Sequence, residues 1–284
     1  MRRVGRAGRV WLAAFGLACA TAGAAVDLDA LWDYARPAAS EQRLRQALGS
    51  ARGDDALVLR TQIARSLGLQ QRFDEAHREL DAIEPALATA GEAPRVHALI
   101  ERGRALRSAG REAEAEPLLR RAFDRADRAR LEFLAADALH MVALVQGTPE
   151  AQIEINRRVV ALARNAVDPR ARAWEAAALN NIGVVLNGLG RHDEALPTLR
   201  DALSAYERHG RVRNVRIARW MVAHTLRRLG RLDEALATQR SLEAEWAAAG
   251  AADPYVFDEI AEIHALRGDA DRATHYRALA AQAR

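Results

Sequence analysis

A six-residue phrase returns along this chain at intervals near forty residues, and that recurrence limits the possible folds more than any other feature. Gly190-Arg191-His192-Asp193-Glu194-Ala195 reappears as Gly230-Arg231-Leu232-Asp233-Glu234-Ala235, and earlier as Gln71-Arg72-Phe73-Asp74-Glu75-Ala76. Gly110 to Ala115 and Gly268 to Ala273 are weaker copies, and Gly147-Thr148-Pro149-Glu150-Ala151 keeps the turn but loses one residue. The closing alanines are spaced by 39, 36, 44, 40 and 38 residues, which makes six copies of one unit. Self-similarity at a period of roughly 20–50 residues is the mark of stacked supersecondary units, each unable to bury its apolar face alone.

Each unit reads as two helices. Ala178 to Leu186 precedes the phrase and Leu196 to Tyr206 follows it, both with apolar residues at i, i+3, i+4 and i+7. Gly190 suits the left-handed residue that ends a first helix. Asp193 stands where an N-cap would accept the first free amides of the second helix, and Glu194 would favour its positive end. Ala195 leaves room for a close crossing. Thr148-Pro149, Asp168-Pro169 and Asp253-Pro254 pair a capping side chain with proline at the first helical position. No window reads as a strand.

Composition removes whole classes of chemistry. The 42 basic side chains are all arginine, because the sequence contains no lysine. A phosphate-binding loop, a protein-kinase site and Schiff-base chemistry all require lysine. The one cysteine, Cys19, lies near the N-terminus, so thiolate metal cages, disulfides and a cysteine nucleophile are excluded from the rest of the chain. The eight histidines form no i, i+4 pair with a flanking glutamate, so the helical zinc-protease pattern is missing. No G-x-S-x-G or dinucleotide glycine run occurs. The expectation is a protein that is not an enzyme and uses no cofactor or metal.

The formal net charge of +4 is local. Arg2, Arg3, Arg6 and Arg9 lie in the first 24 residues, which hold no acid, and removing those four leaves 38 of each sign. Arginine clusters such as Arg120-Arg121, Arg157-Arg158 and Arg227-Arg228 alternate with acids, as solvated helix faces do. With aromatic content at 5%, the chain lacks the stacking partners of a nucleic-acid strip, and no nucleic-acid partner is expected.

Residues 1–25 resemble a secretory signal peptide: an arginine-rich start, the apolar run Val10 to Ala20, and Ala22-Gly23-Ala24 as an A-x-A exit. Eleven apolar residues are too few for a stable membrane anchor. This predicts a periplasmic or secreted protein. Leu17-Ala18-Cys19 resembles a lipoprotein processing site, with Gly16 where a bulky aliphatic residue is usual. The alternative is translation from Val26 and a cytoplasmic protein, since Asp27 to Trp32 already read as the first helix of the body.

At residues 176–209 the positions of Leu179, Ile182-Gly183, Leu186, Gly190, Ala195, Leu199 and Ala202 resemble the tetratricopeptide repeat. The likeness extends to 57–90, 96–129 and 216–249, and weakly to 131–165 and 254–284. The stretch Trp32 to Glu41 resembles the opening of bacterial repeat-array proteins. The resemblance implies an all-α, right-handed superhelical solenoid of antiparallel helix pairs over residues 26–284, with six to seven pairs whose first helices line a concave groove.

The groove positions carried over are Gln62 and Arg65, Glu101 and Arg104, Asp137 and His140, Asn180, Asn181 and Asn187, and Trp220, His224 and Arg227. Asparagine amides there would hydrogen-bond an extended peptide, and Arg65 and Arg104 would clamp a carboxylate. Against this, an Asn-Asn pair also serves as a bridge between neighbouring helices, Trp220 as packing, and the histidines as satisfied interface groups. The function implied is a non-enzymatic scaffold or adaptor for a peptide or protein partner, the alternative being a cytoplasmic regulatory or sensory array. Oligomeric state is not read from the sequence.

Overall fold

The computed structural model describes residues 26–210 and 212–284, and the expected leader with Cys19 lies outside the described residues. Two helices, α1 (Leu28–Leu31) and α2 (Pro37–Leu48), come first. Six antiparallel pairs follow among the described residues. They are α3 (Gly53–Leu69) with α4 (Phe73–Asp81) and its short continuation α5 (Glu84–Leu87), then α6 (Glu92–Ser108) with α7 (Glu112–Arg128), and α8 (Glu132–Leu144) with α9 (Pro149–Asn165). After a four-residue helix α10 (Pro169–Arg172) come α11 (Trp174–Gly188) with α12 (His192–Arg208), α13 (Val212–Arg228) with α14 (Leu232–Ala248), and α15 (Pro254–Leu266) with α16 (Ala270–Gln282). The 44-residue interval holds α10, whose entry is fixed by the Glu132 carboxylate accepting the Val167 and Asp168 amides at 2.9 and 2.7 Å.

The two helices of a pair differ in burial because they differ in neighbours. The outer helix α12 buries one stripe, Ala195, Leu199, Ala202 and Tyr206 among it, at the 3.6-residue period of an amphipathic helix. The inner helix α8 touches neighbours on several sides and buries nine residues from Leu134 to Ala143. The resulting core runs across units: Leu119, Leu139, Val159, Ile182, Leu199 and Leu226 belong to one continuous cluster.

The recurring phrase is a helix exit fused to a helix entry. Gly190 takes φ +73°, its amide donates to Asn187 O at 3.0 Å, and the Arg191 amide donates to Leu186 O at 2.9 Å. That is the Schellman arrangement closing α11. The same bonds close α6 at Gly110 and α13 at Gly230, and Gln71 adopts the left-handed conformation, φ 61°, at the corresponding place after α3.

One expectation is corrected here. Asp193 does not cap α12, because the helix begins at His192 with Arg191 in the N-cap position and no side-chain cap. The connection is so short that Arg191 serves both helices. Its guanidinium instead forks onto Glu194 at 2.7 and 2.6 Å, a pairing repeated at Arg72–Glu75, Arg111–Glu114 and Arg231–Glu234. Thr148, Asp168 and Asp253 do cap, each accepting a backbone amide with proline following.

The closing alanines are shut away: Ala76, Ala115, Ala195 and Ala235 are fully buried. Gly103 and Gly183 extend the same logic on the facing helices, where a Cβ would sit 2.6 Å from Leu119 and 2.4 Å from Leu199.

Candidate functional site

The groove positions lie on the inner helices α3, α6, α8, α11 and α13, and most of them contact the neighbouring inner helix. Arg104 on α6 is held from three directions. Its Nη2 donates to both Asp137 oxygens on α8 at 2.9 and 3.0 Å, Nε donates to Glu101 Oε2 at 3.0 Å, and Nη1 rests on Met141 Sδ at 3.1 Å. Burial is the largest influence on the Asp137 carboxyl and pushes it up, but the Arg104 and Arg65 charges and the Arg104 hydrogen bonds together more than offset it and hold the group below its usual range. Glu101 goes the other way: burial dominates and raises it despite Arg104 and Arg65. The carboxylate clamp expected of Arg104 is therefore occupied from within the chain.

A second network joins α13 to α15. Arg227 forks onto Glu259 through Nε and Nη2 at 2.7 and 2.9 Å, while His224 Nδ1 lies 2.7 Å from Glu259 Oε1. Burial raises the Glu259 carboxyl and these hydrogen bonds more than offset it, leaving the group below its ordinary value. Trp220 stacks on His224 with ring centroids 5.3 Å apart and donates Nε1–H to Tyr255 O at 3.1 Å.

Between them lie the asparagines. The Asn181 amide meets His140 Nδ1 of the preceding unit at 3.3 Å, and His140 packs on Trp174, 4.8 Å between centroids. Burial lowers His140 to about 4, so its ring is neutral near pH 7. Asn187 is a bridge, donating to Thr225 Oγ1 at 2.8 Å and lying 3.0 Å from His192 Nδ1. Asn180 differs, for its Oδ1 is buried with no hydrogen-bond partner among the described residues. Exposed Val184 and Ile217 share the faces that carry Asn181 and Trp220.

Sequence reasoning missed the partners contributed by the next unit. Glu259, His97, Thr225 and Tyr255 meet residues 35, 35, 38 and 35 positions earlier, close to the repeat period itself. Adding one period to each groove position would have found them. It also missed the segment around α1, where Trp32 and Tyr34 stack on each other at 4.9 Å and cover Arg65, whose guanidinium lies 5.4 Å from each ring centroid.

Residues 174–244 match the tetratricopeptide repeat family. That segment carries tetratricopeptide repeats. The chain's repeat array is a right-handed superhelical solenoid of helix pairs, and solved structures share that fold. One is a signal transduction ATPase with numerous domains that has a tetratricopeptide repeat sensor, from Pyrococcus horikoshii. It is 12% identical with a TM-score of 0.67, over 87% of this chain and 39% of that one, so the chain spans well under half of that protein. A Rap protein complexed with competence and sporulation factor is 15% identical with a TM-score of 0.60, over 90% of this chain and 72% of that one. Aspartyl phosphate phosphatase F from Bacillus subtilis is 14% identical with a TM-score of 0.58, over 86% and 75%. No curated protein matches the sequence. At these identities the likeness establishes the fold alone. No helix among the described residues is long and apolar enough to cross a membrane.

Proposed function

We propose that the repeat array is a non-enzymatic adaptor that takes a peptide segment or partner domain along its concave face, centred on α11 and α13. The observation that carries this reading is the contrast along the groove. Two charged pairs flanking the centre are closed within the chain, Arg104–Asp137 and Arg227–Glu259. In the middle stand exposed Val184 and Ile217, with half-buried Asn180 and Asn181 one turn from Val184 on α11. Exposed apolar side chains flanked by half-buried amide side chains suit an extended backbone. The Rap protein solved with competence and sporulation factor supports the reading by fold.

Val184→Asp and Ile217→Asp place charges at those apolar positions, while Arg157→Glu changes the exposed side of α9 as a control. In capture from native extract, the first two should lose a partner that the control retains. Equal recovery by all three, with helicity unchanged, would remove the groove assignment. Export through the leader is part of the same proposal, supported by the charge and apolar pattern of residues 1–25. Mass spectrometry of the native N-terminus tests it: a start near residue 25 or 26 by cleavage supports export, and an initiator methionine in place of Val26 overturns it in favour of a cytoplasmic array.

A further inference from the structure

A cavity of about 480 Å³ lies between the N-terminal segment and the inner helices from α3 to α13, reaching the first turns of α11 at Trp174 and Ala177 and of α13 at Asn214. That volume is within the range of roughly 300–1,000 Å³ typical of small-molecule sites. Its walls include Trp32 and Tyr34 on one side and Phe133 and Trp174 on the other, with Arg65 and His97 among the polar lining. The aromatic walls are held in place. Trp32 packs with the α2–α3 core, the Asp33 amide donates to Ser40 Oγ at 2.7 Å, and Arg43 Nε donates to Leu31 O at 2.9 Å.

Arg65 is unlike the other arginines of the groove. It makes no hydrogen bond to any described residue, its nearest acid is Glu101 at 3.9 Å, and its Nε is buried without an acceptor. With 21% of its side chain exposed, it is largely withdrawn from water yet holds a full set of unused donors. Arg170, the other cation of the lining, is already closed onto Asp168 at 2.8 Å.

His97 supplies a second donor, and its tautomer is set from two residues away. The Trp32 indole N–H can only donate, so it takes Gln62 Oε1, at 3.1 Å. This turns Gln62 Nε2 toward His97 Nδ1, at 3.3 Å, where it donates. Burial lowers His97 to about 4, so the ring is neutral and its one proton sits on Nε2. A cation would fit poorly. Asp137 is taken by Arg104, Asp27 Oδ1 accepts the Ala30 amide, and Asp27 and Asp29 are both exposed to water.

From this geometry we infer that the cavity is a binding site for an aromatic group bearing a carboxylate, the ring lying against the aromatic walls and the carboxylate taking Arg65 with help from His97 Nε2–H. Charge-assisted bonds from a guanidinium give such a site its sign, and the rings give it its shape. The carboxylate belongs either to a free small acid or to the C-terminal aromatic residue of a peptide. The inference rests on Arg65, His97 and the aromatic walls and not on Val184 or Ile217, although the cavity reaches the first turns of α11 and α13.

The test is calorimetric titration of the full chain. Phenylacetate and indole-3-acetate are compared with phenylacetamide and phenethylamine, and a short peptide ending in phenylalanine is compared as free acid and as amide. The acids should bind at least tenfold more tightly than the amides and the amine. Binding by the small acids identifies a free acid as the source, and binding by the free-acid peptide alone identifies a chain terminus. Arg65→Gln should weaken binding at least tenfold. Tyr34→Ala, in an exposed position that the fold tolerates, should weaken it several-fold. Trp32→Phe keeps a ring but frees Gln62 to rotate, and should move the His97 proton signal away from Nε2 in nitrogen-15 spectra. Amides that bind as well as acids, or acid binding by neither source, would overturn the inference. Loss of acid binding while partner capture persists would leave the adaptor reading standing.

Discussion

Leu199 fills the space that any side chain at Gly183 would need: a Cβ built there lies 2.4 Å from Leu199 Cγ and 2.5 Å from Cδ2. Leu199 is itself fully buried, so it has little freedom to yield. The same relation holds between Gly103 and Leu119, at 2.6 Å. In both pairs the closeness of the two helices depends on a missing methyl group.

Gly183→Ala should therefore destabilise the array by about 1–3 kcal/mol, the usual cost of forcing extra volume into a packed core. Gly188, in the last turn of the same helix, has nothing within 4 Å of a built Cβ. Gly188→Ala should be neutral or stabilising by about 0.5–1 kcal/mol, because alanine loses less backbone freedom on folding. Urea denaturation of the two variants side by side checks this, and equal midpoints would refute it.

At Gly190 the constraint is conformational, with φ +73° and open space around the position. Gly190→Ala should cost about 1–2 kcal/mol, since an L side chain is strained in the left-handed region. Gly190→Asn should cost less, because asparagine tolerates that region. Thermal melts of the two variants give the order directly.

Arg104 and Asp137 are coupled across units, with 19% and 6% of their side chains exposed. Removing one partner of a buried pair leaves the other uncompensated, so Asp137→Asn should cost about 3–5 kcal/mol. The solvated fork Arg191–Glu194 is a contrast, and Arg191→Ala should leave the unfolding midpoint close to that of the parent. A double-mutant cycle over Arg104 and Asp137 measures the coupling, and additive single-variant effects would show it to be absent.

The pH dependence has a sign set by His97 and His140. Burial lowers both to about 4 in the folded state, against 6.5 when unperturbed. Between those values the unfolded chain binds more protons, so their contribution is complete above about pH 6.5 and is lost as pH falls toward 4. Asp137 and Glu259, held below their ordinary values, add loss in the same direction at lower pH. Glu101, raised by burial, works oppositely, its contribution fading as pH rises. Replacing both histidines with glutamine should flatten the stability profile between pH 4 and 6.5, as read from urea midpoints at stepped pH.

The phrase Gly190 to Ala195 made the helix pair legible, because both its glycine and its alanine act locally. A left-handed exit and a small crossing residue have the same meaning wherever they stand in a chain. The role of Asp193 was not legible, since it depended on the connection being one residue shorter than a separate cap requires. Arg104 and Asn187 were placed on the correct helices but given ligands outside the chain. Their partners, Asp137 and Thr225, lie 33 and 38 residues away.

The sequence by itself determined the period, the pairing of helices and the residue types that line the inner face, because these follow from spacing and from backbone chemistry within one unit. Tertiary structure alone decided which lining groups remain available. Stacking brings Asp137 to Arg104 and Glu259 to Arg227, while it leaves Arg65 beside two stacked aromatic rings with no hydrogen-bond acceptor among the described residues. Whether a side chain is engaged depends on distances between units, and those distances are fixed only when the helices pack.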